Sequence, residues 1–283
     1  MKNFTEHIQA NATFFKLAVD DLLFAEYKCP IMESKEAAWS KDNYLVYVLS
    51  GKKTWSSGAV TYELKEGDSL FVAKGAHYIE QLKAEEVCVL IFFFPDEFLE
   101  EVLESADYHK NSTSEEAPKF IPIDVNEPLK IFFQSMTSFF AQTPSPSRQL
   151  VSLKFKELVL QLLNFQKNAA LFSFFNSMTS PPERKFRQLI ENNIQFNLGL
   201  EEYARMAGMS VSSFKRYFKQ IFGDSPGQYM LDRKLTIASL LLKKSAKSIQ
   251  EIAYEIGFEN PAHFTRMFNK KYKISPSKFR EKN

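Results

Sequence analysis

The stretch Ala253-Tyr-Glu-Ile-Gly257-Phe258, followed by Phe264-Thr-Arg266-Met-Phe268, Tyr272, Ser275-Pro276 and Phe279, has an earlier counterpart in the same chain. That counterpart reads Ala204-Arg-Met-Ala-Gly208-Met209, then Phe214-Lys-Arg216-Tyr-Phe218, Phe222, Ser225-Pro226 and Tyr229. Up to the apolar residue after the glycine the offset is 49 (204 to 253), and beyond it 50 (214 to 264), so the later copy holds one extra residue in its turn. Agreement at so many positions marks a duplicated supersecondary unit; two copies are too few for a solenoid.

Each copy reads as helix, tight turn, helix. Leu200, Tyr203, Ala204 and Met206-Ala207 form an apolar stripe at helical spacing, and Gly208 supplies the backbone that ends the helix. Ser210 is placed to cap the next helix, along which Phe214, Phe218 and Phe222 recur on one face. In the later copy Ser248-Ile-Gln-Glu251 has the pattern of a capping box, and Ile249, Ile252, Ala253 and Ile256 make the stripe. Gly257 makes the turn, and Pro261 fits only near the start of the helix that follows. Small residues at Ala204 and Ala253 let paired helices approach closely, as a helix-turn-helix requires.

With the phenylalanines turned inward, the second helix of the first copy presents Ser212, Lys215, Arg216 and Lys219, and its counterpart presents His263, Thr265, Arg266 and Lys270. These are donors for base edges and partners for phosphate, on helices of the size the major groove admits. Between the copies, Ser225-Pro226 opens a helix running to the Lys243-Lys244 region. At ~1.5 Å per residue its length approaches the ~34 Å between successive major grooves on one face of DNA.

Charge divides the same way. The 283 residues carry a net charge of +2, but residues 1–182 hold 17 Lys and Arg against 24 Asp and Glu (−7), and residues 183–283 hold 19 against 10 (+9). A basic second part suits a polyanionic partner. No apolar run reaches the ~18–20 residues of a membrane span, and residues 1–21 lack a signal-peptide core. With two cysteines, Cys29 and Cys88, no disulfide framework exists, and a cytoplasmic location is expected.

Residues 183–282 resemble the DNA-binding domain of the AraC/XylS family of bacterial transcription regulators. The resemblance rests on Leu200-Glu-Glu-Tyr-Ala204 with Gly208-Met209-Ser210, on Phe222-Gly223 with Ser225-Pro226-x-x-Tyr229, and on the whole later copy through Ser275-Pro276-Ser-Lys-Phe-Arg280. It implies base readers at Ser212, Lys215 and Arg216 in the first motif, and near Pro261, Ala262, Thr265 and Arg266 in the second. Pro261-Ala262 departs from the polar residues usual in the family, and Gly199 replaces its usual Ser or Thr cap.

The acidic part leans first toward strands: residues 44–50, 54–55, 60–64, 69–72 and 87–92, broken by Gly and Ser turns. Leu64-x-x-Gly67-Asp68-x-Leu70-Phe71-Val72-x-x-Gly75 resembles a turn of the cupin barrel, which many regulators of that family carry here. A metal-binding cupin needs a His-x-His pair with later Glu and His, and the chain has no such pair; His77 is read as a core or rim residue. Residues 96–177 turn helical, with helices expected from residue 95, over 128–141 and over 145–166. On the last, Val151, Phe155, Leu158, Leu162 and Phe165 form a short heptad-like seam, suited either to packing at home or to a dimer. The layout resembles the type III secretion activator branch of the family, whose amino-terminal domains dimerise and answer to partner proteins.

The expected fold is α+β with two domains: a cupin-like β-barrel or sandwich with helices over 1–177, a linker over 178–183, and an all-α double helix-turn-helix over 184–283. The expected function is sequence-specific DNA binding by a transcription regulator, with activation favoured. The expected partners are double-stranded DNA, a second copy in a homodimer, a small-molecule effector or regulatory protein, and RNA polymerase; no cofactor, metal, membrane or enzymatic activity is expected. Two other classes fit part of the sequence, a non-specific DNA-binding protein and a metal-independent cupin enzyme with a DNA-binding appendage. DNA affinity is expected to fall steeply between about 50 and 200 mM salt, because a basic domain displaces condensed counterions. A flat dependence in a fluorescence-anisotropy titration would remove phosphate contact from the account.

Overall fold

The structure is a computed structural model that describes residues 1–29, 34–58, 60–81, 86–106, 118–141, 145–165, 168–178 and 182–281. The chain divides into two compact units, Met1–Lys185 and Phe186–Asn283. Residue 166 of the helix expected over 145–166 and residues 179–181 of the linker expected over 178–183 lie outside the described residues.

In the first unit, β1 (Lys2–Asn3) and α1 (Phe4–Ala10) precede β2 (Phe15–Val19), β3 (Leu22–Cys29), β4 (Ser34–Ser40), β5 (Asn43–Ser50) and β6 (Lys52–Ser57). Then come β7 (Val60–Lys65), β8 (Ser69–Val72), β9 (Gly75–Gln81), β10 (Val87–Phe94), α2 (Asp96–Ser105), β11 (Phe120–Ile123) and α3 (Glu127–Thr137). A 3-10 turn at Ser138–Ala141, α4 (Arg148–Asn164) and α5 (Ala169–Met178) complete it. The strands form a five-stranded sheet ordered β1-β4-β9-β6-β7 and a six-stranded sheet ordered β11-β8-β5-β10-β3-β2. Among the described residues all pairings are antiparallel except β1 with β4.

Central β10 shows why the unit has two cores. Val89, Ile91 and Phe93 point into the layer between the sheets, with Tyr44, Val46 and Trp55. Leu90, Phe92 and Phe94 point the other way, into a layer covered by helices α2 to α5. Side chains alternate along a strand, so a strand buried on both faces is apolar at every position. The heptad-like seam of α4 joins the second layer: Val151, Phe155, Leu158 and Leu162 are buried there, with the Phe155 ring 5.7 Å from Phe92 and 5.5 Å from Phe94. The seam packs at home. Strand β11 departs from the helical patterns expected over residues 96–177. Among the described residues it pairs only with β8, at the sheet edge, where Pro122 can lack an N–H without cost to the ladder.

His77 lies in the core. Its Nε2 is 2.6 Å from the Tyr44 hydroxyl, which accepts from Trp55 Nε1 at 3.1 Å. Burial first, and the Lys119 cation second, push the His77 ring down to about 3, so it stays neutral.

The second unit holds the end of α6 (Pro182–Asn193), then α7 (Leu200–Met206), α8 (Val211–Phe222), α9 (Pro226–Lys244), α10 (Ile249–Glu255), α11 (Pro261–Tyr272) and α12 (Pro276–Glu281). Met178, expected in the linker, ends α5, and Pro182-Glu183 open α6. The duplication is structural down to single bonds. In the first turn Met209 N–H donates to Ala204 O at 2.9 Å and Gly208 N–H to Arg205 O at 3.1 Å; in the second, Phe258 donates to Ala253 at 2.9 Å and Gly257 to Tyr254 at 3.0 Å. Both are Schellman closures around a left-handed glycine, with φ 66° at Gly208 and 78° at Gly257.

The two glycines differ in their surroundings. A Cβ at Gly208 would meet nothing within 4 Å, whereas one at Gly257 would lie 2.7 Å from the carbonyl oxygen of Gln195. Gly208→Ala is therefore expected to lower the stability of this unit by about 1 kcal/mol, through backbone strain alone. Gly257→Ala adds a clash with fixed backbone and is expected to cost about 2–4 kcal/mol. Urea denaturation of both variants tests this, and equal losses would show that space around Gly257 plays no part.

Candidate nucleic-acid interface

Helix α8 starts where Ser210 accepts the Ser213 N–H and ends at left-handed Gly223. Phe214 and Phe218 are fully buried on its inner face, against Phe186 at 5.4 and 6.1 Å between ring centroids. On the outer face Ser212, Lys215, Arg216 and Lys219 fall at steps of three and four residues, and all four are exposed. Helix α11 repeats the plan. Phe264 and Phe268 are fully buried, while His263, Arg266 and Lys270 are exposed and Thr265 is half-buried.

Among the described residues, Lys215, Arg216, Lys219, Arg266 and Lys270 form no ion pair. Their charges face solvent and are available to a polyanion. Two of the polar candidates are partly engaged: Ser212 Oγ lies 3.1 Å from the capping Ser210 Oγ, and the His263 ring meets Phe258 edge-on at 5.5 Å. Ala262 is exposed at the departure from the family pattern, beside half-buried Pro261. Gly199 caps α7 without a side chain, and Glu202 compensates by accepting the Gly199 N–H.

The rings behind the two helices superpose in kind. Phe218 meets Tyr229 at 5.6 Å and Phe222 at 4.5 Å; Phe268 meets Phe279 at 5.3 Å and Tyr272 at 4.5 Å. Thus Ser-Pro opens a helix that returns an aromatic ring beneath α8 and beneath α11.

Several positioning residues have no local sequence signature. Glu191 on α6 accepts the Tyr229 hydroxyl at 2.6 Å and grips Arg233 through Nε and Nη2 at 2.6–3.2 Å, fixing the first half of α9. Lys271 on α11 donates to Thr236 Oγ1 at 2.8 Å and pairs with Asp232 at 2.7 Å, tying α9 to the second motif. Arg187 donates to Ile221 O and stacks 4.9 Å over the Phe222 ring. These partners are dozens of residues apart in sequence. Asn260 had a readable signal, an Asx residue before a proline at the start of a helix; its Oδ1 accepts the N–H groups of Ala262 and His263.

At 19 residues, α9 spans about 28 Å. Among the described residues no group of three or more His, Cys, Asp or Glu could hold a metal ion, and no helix is long and apolar enough to cross a membrane.

Comparison with known proteins follows the same division. Residues 203–282 match the family model of a helix-turn-helix domain, and residues 43–174 match the ExsA N-terminal regulatory domain. Thermoregulatory protein LcrF of Yersinia pestis is 30% identical over 269 residues, covering 92% of this chain and 96% of that protein. The virulence regulon transcriptional activator VirF of Yersinia enterocolitica is 29% identical over the same coverage. The HTH-type transcriptional regulator ExsA of Pseudomonas aeruginosa is 23% identical over 245 residues, 86% of this chain and 87% of that one. With both units matched and relatives aligned almost end to end, the chain belongs to the AraC/XylS family of transcription regulators.

Proposed function

We propose that this chain is a transcriptional activator that reads double-stranded DNA by laying α8 and α11 in two successive major grooves. The observation that carries the reading is the paired outer stripe: two helices, each anchored by two buried phenylalanines, each presenting unpaired basic side chains on the opposite face. Arg216 and Arg266 are assigned to base edges, with Ser212, Lys215, His263 and Thr265 beside them, and Lys219 and Lys270 to phosphate. The chain acts without a cofactor and without catalysis, in the cytoplasm. Residues 1–177 form a homodimer through a surface other than the buried seam of α4, and respond to a small effector or a regulatory protein. RNA polymerase is the downstream partner. Relatives that are transcriptional activators support this placement.

Selection of bound sequences from random DNA, with and without cell extract, tests the reading. Recovery of a motif with two half-sites about one helical turn apart is expected. Recovery of no motif would leave the non-specific alternative.

A fragment beginning at residue 182 is expected to fold alone as a monomer and to bind the same motif, because the second unit carries its own core. Aggregation in sedimentation velocity would place the boundary elsewhere.

Arginine and lysine on the stripes should differ in kind. A guanidinium holds a guanine edge at two points, and loss of such a contact costs ~1–3 kcal/mol of discrimination at one base pair. Arg216→Ala and Arg266→Ala are expected to relax preference at one or two positions each, Arg216 more strongly because Pro261-Ala262 weakens the second head. Lys219→Ala and Lys270→Ala are expected to weaken all sequences alike and to reduce the salt slope by about one each. Competition binding against single-base operator variants separates the two patterns. Equal, sequence-independent losses for both arginines would sink the base-reading assignment.

A further inference from the structure

The two cysteines occupy neighbouring pairs on the β3–β10 ladder, Cys29 opposite Val87 and Cys88 opposite Lys28, and therefore face opposite sides of the sheet. Their surroundings are opposite too. Cys88 Sγ lies 3.6 Å from Glu26 Oε1, and burial together with that carboxylate pushes its thiol up to about 12. Cys29 instead receives a cation: Lys53 Nζ donates to its Sγ at 2.8 Å. The Tyr27 ring lies 4.7 Å beneath the Lys53 ammonium.

Lys53 is only 5% exposed and Cys29 only 6%. A buried ammonium ordinarily has a carboxylate or several carbonyl oxygens as partners. Among the described residues this one has a sulfur and an aromatic face. The ammonium in contact with the sulfur stands where it can hand a proton to a group leaving from that sulfur. The pair also bridges layers, since β3 belongs to the six-stranded sheet and β6, which carries Lys53, to the five-stranded one.

We propose that Cys29 and Lys53 form a peroxide-reactive modification site whose product is a covalent sulfur–nitrogen link between the two sheets. The Cys29 sulfur attacks one oxygen of hydrogen peroxide; the O–O bond breaks, and the leaving hydroxide takes a proton from the Lys53 ammonium and departs as water. The sulfur is now a sulfenic acid and the lysine a neutral amine at contact distance. The amine nitrogen attacks the sulfur, the S–O bond breaks, and the leaving hydroxide takes an N–H proton to form a second water. In sum, thiol, ammonium and peroxide give a sulfenamide, two waters and one proton; sulfur loses two electrons and peroxide gains them. Added thiol reverses the link by attack on the sulfur. The site is independent of the DNA-binding reading.

The test uses the reduced full-length chain, treated with hydrogen peroxide, blocked with iodoacetamide, digested with trypsin and mapped by tandem mass spectrometry. The expected result is a Cys29 peptide joined to a Lys53 peptide, uncleaved after Lys53, lighter than the sum of its parts by two hydrogens (about 2 Da) and separated by dithiothreitol. Cys88 is expected to remain alkylatable throughout. Oxidation of Cys88 as fast as Cys29, an unreacted Cys29, or a dimedone-trapped Cys29 without the lysine link would each overturn the proposal. In Lys53→Met, which keeps bulk and removes the charge, Cys29 oxidation is expected to slow at least about tenfold. An unchanged rate in a folded variant would remove the ammonium from the mechanism; should that variant fail to fold, the peptide map of the unaltered chain decides alone.

Discussion

Burial of two phenylalanines one turn apart on each of α8 and α11 is the constraint from which the second unit follows. Removing a core phenylalanine typically costs ~3–5 kcal/mol, far more than any surface charge on these helices contributes. Phe214 and Phe218 therefore fix the rotation of α8 about its own axis, and Phe264 and Phe268 fix that of α11. Once the rotation is fixed, residues two positions removed from each phenylalanine must face outward. The basic stripe is a geometric consequence of the apolar one. The return of Tyr229 and Phe279 under the same rings then explains why Ser-Pro and an aromatic three residues later belong to each copy.

The connecting helix is held by polar contacts of a different kind. Arg233 and Glu191 are each about one-third exposed, so water and salt screen the pair and its net contribution stays on the order of 1 kcal/mol. Its two-point geometry nevertheless allows one angle between α6 and α9 and disfavours others. Lys271 does the same between α9 and α11 through Asp232 and Thr236. Apolar burial supplies most of the stability of this unit, and these clamps supply much of its orientation. Orientation is what the proposed pair of reading helices needs, because groove spacing on DNA is fixed.

What could be read from the amino acids follows this division. In the second unit many boundaries have a local cause: a serine cap, a left-handed glycine, a proline at the first helical position, a four-residue aromatic repeat. Those signals act within one turn, and the positions of α8 to α11 were legible. The clamps were not, since Glu191 and Arg233 are 42 residues apart and neither is unusual where it stands. In the first unit, β10 and β5 announce themselves by being apolar on both faces. Strands such as β4, Ser-Lys-Glu-Ala-Ala-Trp-Ser, owe their conformation to the neighbours they pair with, β1 and β9, and carry little pattern of their own. The α4 seam shows a further ambiguity: a helix uses the same spacing to lie on a sheet as on another helix, and Phe92 and Phe94 decided it.

The duplication also breaks down at one point that bears on how the two helices would meet DNA. A helix N-terminus offers backbone N–H groups with no partner inside the helix, and such groups bind phosphate well. At α8, Ser210 consumes the Ser213 N–H, and the groups of Val211 and Ser212 stay uncommitted among the described residues. At α11, Pro261 has no N–H to offer, and Asn260 consumes those of both Ala262 and His263. The second tip is thus closed by its own cap, and a phosphate arriving there would find side chains only. In the proposed reading α8 holds the backbone with both tip and stripe, while α11 depends on Arg266 and Lys270. The same proline and alanine that depart from the family pattern in sequence thereby make the two motifs electrostatically unequal, although their aromatic cores are nearly the same.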